Sequence, residues 1–563
     1  MTILTRSAYA NPGTSTSFKT GTWRVQRPVH RHGAAPCHTA CPAGEDAQAW
    51  LARLEEGNTR AAWEEIARVN PMPAITGRVC HHPCESGCNR GGLDEAIAIH
   101  GVERYLGDHA IAEGWEYPVA PPSPVALPVA VVGAGPAGLS CAYHLIRLGY
   151  RVALFDELPA AGGTLRTALP SYRLPREVID AEVERILGVG IDFRPRHRLG
   201  REMSLEELEA DYRAVFLGPG TQRAREWSID GATPSDLHVG LNLLQEWIAV
   251  GEVVRPRSAA IVGGGNTAVD LSRVLRRAGV GEVHVITHQG LPGPDVAEAD
   301  RMTAIPREIE QAIEEGVQFH DHRGIRRLIL RGEQVVGVEM VHMKKMDRGH
   351  GKPERVAFEG TETVLHVDQV IPAIGQEVEP FGMERLLHNA TRFTADAMGR
   401  LDGHAGLFVG GDARRGTSGT VSGAVGDGRR AAIAIDQRVR DLEVADEGGA
   451  EPLPLSALNI NYYTGGKRPP ERTLAVEARG ECEEIEGGLF PGEALAESKR
   501  CLSCGSCFAC DNCWTLCPDS AVLKTRQLAA DGSHYLFDYD FCKGCGLCAR
   551  ECPCGYIAME DEL

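Results

Sequence analysis

A chain of 563 residues, 43% apolar and 24% charged, is too long for one core and too apolar for wholesale disorder, so it reads as an ordinary multidomain protein and not a fibrous one. Its net charge of -18 argues against a nucleic-acid surface, which needs clusters of Lys and Arg that are not visible here. No run approaches the ~18 apolar residues of a membrane span, and the opening MTILTRSAYANPGTSTSFKTGTWRV lacks the apolar stretch of a signal peptide, so a cytoplasmic chain is expected.

Eighteen cysteines in a reducing compartment point to metal or cluster ligation before disulfides. Five lie between residues 37 and 88 and eleven between 501 and 554, with only Cys141 and Cys482 outside those groups.

Residues 1–126 are the first predicted domain. Helical spacing of apolar residues over 46–70 and 93–113 predicts a mainly α fold whose loops carry Cys37, Cys41, Cys80, Cys84 and Cys88. Zinc held by cysteines with His81 or His82 is the plainer alternative there. The proline-rich YPVAPPSPVALP at 117–128 is the expected linker.

Residues 127–240 open a dinucleotide-binding domain with strand, glycine turn, helix and strand in PVAVVGAGPAGLSCAYHLIRLGYRVALFDE. Gly133 permits the tight turn, Gly135 lets the backbone approach a pyrophosphate, and Gly138 lets helix and strand pack; Asp156 ends the second strand, placed for a ribose hydroxyl. Residues 241–364 repeat the unit in IVGGGNTAVD, with Gly263, Gly265, Asn266, Thr267 and Ala268, so two dinucleotides are implied. Residues 365–440 complete the first unit through GLFVGGDARRGTSGTVSGAVGDGRRAAIAID. There Asp412 would reach the ribityl or phosphate part of a flavin, and the helix N-terminus would turn its positive end toward the ring. Cys141 is the one cysteine in this whole region, which excludes a redox-active thiol pair beside the flavin. Residues 441–495 read as an extended connector.

In residues 496–563 the pattern C-x2-C-x2-C-x3-C-P occurs twice, ending at Pro518 and Pro553. In this spacing three thiolates wrap one cubane and the fourth turns to its neighbour. Cys507, Cys510, Cys513 and Cys552 are thus predicted to hold one 4Fe-4S cluster, and Cys542, Cys545, Cys548 and Cys517 the other. Cys501 and Cys504 stay unassigned, as zinc ligands, spare thiols or a half-site completed elsewhere; Cys482 and Cys554 are expected to be packing or surface thiols.

The segments GGTLRTALPSYRLPREVID, VFLGPGT, GGGNTAVD, VIPAIGQ and the GGD stretch resemble the glutamate synthase small-subunit family of FAD- and NAD(P)-binding iron-sulfur oxidoreductases. Its relatives include the NADPH half of dihydropyrimidine dehydrogenase, the large subunit of NADH-dependent ferredoxin:NADP oxidoreductase, and the flavoprotein accompanying dissimilatory sulfite reductase. YDFCKGCGLCARECP resembles the ferredoxin-like delta subunit of 2-oxoacid:ferredoxin oxidoreductases.

The resemblance implies FAD at the first site, with Gly163 and Arg173 joining Gly133, Gly135, Gly138, Asp156 and Asp412. It implies NAD or NADP at the second. Relatives that use NADP carry an Arg pair where this chain has His288 and Gln289, so NADH is favoured. In the N-terminal domain it implies a 4Fe-4S cluster on Cys41, Cys80, Cys84 and Glu103, with Cys37 and Cys88 as rival ligands. The family's opening C-x2-C is replaced by Val29 and His32, and its C-x5-C is shortened to Cys80-x3-Cys84, so one cluster is expected there and not two. The expected fold is a helical iron-sulfur domain, two Rossmann-like α/β domains with the NAD unit inserted in the FAD unit, and a bacterial-type two-cluster α+β ferredoxin domain.

A nicotinamide exchanges two electrons as hydride and a 4Fe-4S cluster one at a time, and a flavin converts between them. The expected function is therefore an NAD(P)H:acceptor electron-transfer subunit in a hetero-oligomer. Its partner would be a catalytic oxidoreductase, the 2-oxoacid type favoured, or a ferredoxin. Hydride transfer requires no acid-base residue, so no catalytic residue is named. The alternatives are a self-contained reductase of a small substrate, for which the connector leaves no room for a substrate barrel, and a redox-sensing scaffold without turnover.

Overall fold

The computed structural model describes residues 4–5, 19–31, 33–120, 123, 125–229, 237–346, 353–388, 390–442, 451–480, 483–526, 528 and 533–562; His32 and Cys482 lie outside them. Two compact units are formed, one from Met1–Trp115, Glu443–Pro470 and Gly488–Leu563, the other from Glu116–Leu442 and Glu471–Gly487.

The first unit begins with short helices set by local caps. Asp46 accepts from the Ala49 amide at the head of Ala47–Glu55, and Asn58 from the Ala61 amide at the head of Thr59–Ala67. Their apolar faces bury Trp50, Leu51 and Ile66 against Val102 and Leu106 of the helix Ile99–Ala112, and Ala494 of Pro491–Ser498 joins the same core. Helices Pro73–Val79 and Ile99–Ala112 meet backbone to backbone: a Cβ on Gly77 would stand 2.5 Å from the Arg104 nitrogen, and one on Gly107 2.3 Å from that of Ala74.

The C-terminal part adds a hairpin of Val522–Thr525 and Tyr535–Phe537 with short helices at Asn512–Thr515 and Leu547–Arg550. Its last strand, Ile557–Asp561, pairs antiparallel with Gln26–His30, so the two ends of the chain share a ladder. The expected connector is not free-standing. Leu453 and Leu458 pack with Leu502 in a small apolar core of the first unit, and Ile485 is buried in the second.

The second unit holds two parallel sheets. The first runs Leu407–Val409, Val215–Leu217, Pro128–Val132, Arg151–Asp156 and Asp192–Pro195. The second runs Gln318–His320, Glu282–Ile286, Ser258–Val262 and Gln369–Pro372. Gln369–Pro372 thus closes the nicotinamide sheet, which carries that unit past the boundary expected at residue 364. Four antiparallel strands, Arg323–Arg331, Gln334–Met346, Glu354–Ala357 and Thr363–Leu365, form a separate layer that the glycine motifs did not announce. Among the described residues no helix is long and apolar enough to cross a membrane.

Candidate cofactor sites

The first glycine turn joins the strand Pro128–Val132 to the helix Pro136–Arg147. Gly133 has φ +95°, and a Cβ there would lie 2.2 Å from the Gly218 carbonyl oxygen; one on Gly138 would lie 1.8 Å from that of Gly133. Gly135 differs, since its missing Cβ faces open space with only the Gly163 Cα at 3.9 Å. The Gly162 amide donates to the Ala134 carbonyl at 2.8 Å, which holds the Gly162–Gly163 loop against the turn. This is a cradle without side chains at a helix N-terminus, and it fits a pyrophosphate.

Asp156 accepts from the amides of Ala134 (2.6 Å) and Leu158 (2.8 Å), one on each carboxylate oxygen. Each oxygen keeps a lone pair for a ribose hydroxyl. Burial raises the Asp156 carboxyl above its ordinary range, and the two amides pull the other way. Asp412 sits in the turn Gly411–Ala413 after the strand Leu407–Val409, and burial likewise raises it. That turn is braced by a residue the motifs missed: Asp427 accepts from the Gly411 amide at 3.1 Å and pairs with Arg414 at 2.8 Å. Gly428 brings the helix Val421–Val439 against Pro136–Arg147, where a Cβ would stand 2.1 Å from the Ala137 oxygen. Cys141 is fully buried on the latter helix.

Arg173 is placed differently from the expectation. Its guanidinium lies 2.8 Å from both Asp270 oxygens and 3.0 Å from Glu308, on helices Asn266–Arg277 and Pro306–Glu314 of the nicotinamide unit. A buried guanidinium is stable only against carboxylates, and these two occupy it. Burial would raise Glu308, but Arg173 and Arg273 hold it below the ordinary carboxylate range.

The second turn follows the strand Ser258–Val262. A Cβ on Gly263 would stand 2.3 Å from the Ala373 oxygen, Gly265 caps the helix Asn266–Arg277, and Ala268 is fully buried. Asn266 accepts from the Ile305 amide and Thr267 from the Gln376 side chain, each at 3.0 Å, so the VIPAIGQ segment is fastened to the turn. Gln289 crosses it, with Oε1 2.5 Å from where a Cβ on Gly264 would stand. At the same corner Arg355 donates to the His288 carbonyl (2.5 Å) and pairs with Asp300 (3.2 Å).

In the first unit the cysteines gather in groups drawn from distant segments. Cys507, Cys510, Cys513 and Cys552 are electrostatic neighbours, as are Cys517, Cys542, Cys545 and Cys548; burial raises the Cys513 and Cys548 thiols first, and these neighbours add to it. Burial also raises Cys84, with Cys41, Cys80 and Glu103 among the adjacent charges. The close contact at Gly77 and Gly107 joins the helices that carry Cys80, just past Pro73–Val79, and Glu103, on Ile99–Ala112, and both residues neighbour Cys84. Asn70 anchors Glu103 at 3.1 Å and Glu45 at 2.8 Å, and Thr76 also donates to Glu103. The zinc alternative would draw on His82, whose ring is stacked 4.1 Å from that of His100. Among the described residues no group of His, Cys, Asp or Glu converges closely enough to hold one metal ion. Thiolates on a cubane stand farther apart than the ligands of a single tetrahedral ion, so the groups suit clusters better than zinc. Cys554 is buried with Sγ 3.8 Å from that of Cys552.

The model of the pyridine nucleotide-disulphide oxidoreductase family matches residues 127–428, and that of dihydropyrimidine dehydrogenase domain II, 4Fe-4S cluster, matches residues 25–115. The beta subunit of NADP(+)-dependent formate dehydrogenase from Moorella thermoacetica is 32% identical, covering 84% of this chain and 70% of its own. The chain belongs to the FAD- and NAD(P)-binding iron-sulfur oxidoreductase family. Within that family, the NADPH-Fe(3+) oxidoreductase beta subunit of Geobacter sulfurreducens is 31% identical over 85% of this chain and 77% of its own. The glutamate synthase [NADPH] small chain of Escherichia coli is 30% identical over 71% of this chain and 87% of its own. As a member, this oxidoreductase binds FAD, a nicotinamide dinucleotide and 4Fe-4S clusters.

Proposed function

We propose that this protein is the NAD(P)H-oxidising, electron-distributing subunit of a larger oxidoreductase, passing electrons through FAD and 4Fe-4S clusters to a catalytic partner. The observation that carries this reading is one chain that holds two glycine turns at helix N-termini, at Gly133–Gly138 and Gly263–Ala268, in one unit and cysteine groups from both of its ends in the other. The absence of a second cysteine near Cys141 argues against thiol-disulfide chemistry in the flavin unit.

On this reading Gly133, Gly135, Gly138, Gly163, Asp156 and Asp412 hold the flavin, and Gly263, Gly265, Asn266, Thr267 and Ala268 the nicotinamide dinucleotide. Arg173 is assigned to positioning, since its contacts with Asp270 and Glu308 hold the GGTLRTALPSYR loop to the nicotinamide helices. Bound flavin would supply the change from two-electron to one-electron transfer. The chain's own part is orientation, water exclusion and the N–H···S bonds that tune cluster potential, such as Ala521 to Cys517 at 3.3 Å and His82 to Cys80 at 3.3 Å.

The proposed coenzyme is NADH. His288 and Gln289 offer no cation for a 2'-phosphate, and the guanidinium at that corner, Arg355, is engaged by the His288 carbonyl and Asp300. The relatives named for NADP make a direct comparison the proper check. The proposed partner is a 2-oxoacid oxidoreductase, supported by the delta-subunit-like tail. Anaerobic turnover with a viologen dye, using NADH and NADPH in parallel, tests the activity: the reading requires dye reduction with NADH the better donor. No reduction by either would sink it, and NADPH preference would overturn the coenzyme assignment alone.

A further inference from the structure

Cys501 and Cys504 have no role in the two ferredoxin-type patterns, and Cys37 and Cys88 none in the group around Glu103. The fold brings these four together. Burial and then the charges of Cys501, Cys88 and Cys504 raise the Cys37 thiol, and burial with Cys504 and Cys88 pushes Cys501 up to about 12. Cys37, Cys88 and Cys501 pack against one apolar core, and Cys504 packs against the small core of Leu453, Leu458 and Leu502.

A dedicated scaffold fixes this meeting. Asn89, next to Cys88, donates to the Cys504 sulfur at 3.5 Å and to the Leu453 carbonyl at 2.9 Å. Arg90 is buried; it grips Asp94 at 2.5 Å and donates to the Arg500 carbonyl at 2.9 Å, one residue before Cys501. Arg500 returns to Asp94 at 3.0 Å and to Glu497 at 2.6 Å. Gly505, after Cys504, touches Gly33, where a Cβ would stand 2.5 Å from the carbonyl oxygen. The Ser503 amide donates to the Cys501 sulfur at 3.4 Å.

We infer that Cys37, Cys88, Cys501 and Cys504 together hold a further 4Fe-4S cluster, its ligands split between the two ends of the chain. The C-x2-C that the N-terminal domain lacks at Val29 and His32 is supplied in space by Cys501 and Cys504. Zinc is the lesser fit, because Cys501 and Cys504 are the one C-x2-C knuckle among the four thiols and no described group converges on a single ion.

The inference rests on the proposed electron-transfer reading and fills a gap in it. Tyr463, whose hydroxyl donates to the Leu502 carbonyl at 2.7 Å, is raised by burial and then by Cys554, Cys504, Cys501 and Cys552, so it neighbours both this group and that of Cys552. Cys84 of the Glu103 group shares a core with Cys37, Cys88 and Cys501, and Cys513 neighbours Cys548. The four groups form a continuous series within the first unit.

The test uses the anaerobically reconstituted full chain. Iron, sulfide, zinc and FAD are counted in the unaltered protein, in the double variant Cys501→Ser with Cys504→Ser, and in Cys37→Ser. We expect ~16 irons per chain, falling by about 4 in the double variant with FAD retained. Both variants should lose the same reduced-cluster EPR signal. With NADH they should leave the terminal clusters oxidised, although dithionite still reduces them. A count of ~12 irons in the unaltered protein, an unchanged count in the double variant, or zinc at one per chain that the double variant removes would overturn the inference. If the variants lose FAD and unfold, the unaltered protein's count decides. Failure of the wider reading shows separately, as FAD that NADH and NADPH both leave oxidised.

Discussion

At the residue scale, two glycines of one motif do different work. A Cβ on Gly138 would collide with the Gly133 carbonyl at 1.8 Å, whereas one on Gly135 meets nothing nearer than 3.9 Å. Gly138→Ala should therefore lower the melting temperature as well as FAD content, while Gly135→Val should fold normally and purify without FAD; equal melting losses in both would refute the distinction. Glu315 gives a pH prediction. Burial would raise its carboxyl, but Arg277 and Arg273 hold it at about 2, and its side chain is 6% exposed. A depressed carboxylate stabilises the fold above its unfolded pKa of about 4.3 and loses that contribution as pH falls toward the folded value. Glu315→Gln should cost about 3–5 kcal/mol at neutral pH, because Arg277 loses its carboxylate and the buried Arg273 and Arg479 are left with Glu308 and Glu314 alone. Denaturant melts should show the gap from the unaltered protein closing as pH falls from about 4 to about 2. A gap constant with pH would contradict the assignment.

At the element scale, the pieces legible in the sequence were those whose chemistry imposes a local spacing. Strand, glycine turn and helix lie within one short segment, and C-x2-C-x2-C-x3-C-P declares itself without any tertiary information. What stayed hidden depended on distant contacts. Asn89 and Cys504 are 415 positions apart, so nothing in either segment announces that Cys88 and Cys504 meet. For Arg173, motif matching gives the position and not the direction of the side chain, which Asp270 and Glu308 set. No glycine turn marks the return of the strand Gln369–Pro372 to the nicotinamide sheet, so its sequence does not tell it from a strand of the flavin unit. The helix pair Pro73–Val79 and Ile99–Ala112 offers a direct test. Gly107→Leu would push against the Ala74 backbone and part Cys80 from Glu103. It should lower iron content by at least about 4 per chain with FAD unchanged, measured on one sample; full iron content would show that this contact does not position a cluster.

At the scale of the whole molecule, the chain's ends are built into one unit by the ladder of Gln26–His30 with Ile557–Asp561 and by Arg24, which pairs with Glu562 at 2.5 Å and donates to the Tyr539 carbonyl at 2.6 Å. A chain beginning after residue 32 should thus lose iron from the C-terminal clusters, although every one of their eight cysteines is retained; full retention would mean that the ladder is dispensable. On the proposed function, electrons pass from a nicotinamide through FAD to the clusters. Anaerobic rapid mixing with NADH, following flavin absorbance and freeze-quenched cluster EPR in the same reaction, tests it most directly. The account predicts flavin bleaching followed by cluster signals within the turnover time of the dye assay. Flavin that bleaches while every cluster remains oxidised through many turnovers would contradict it.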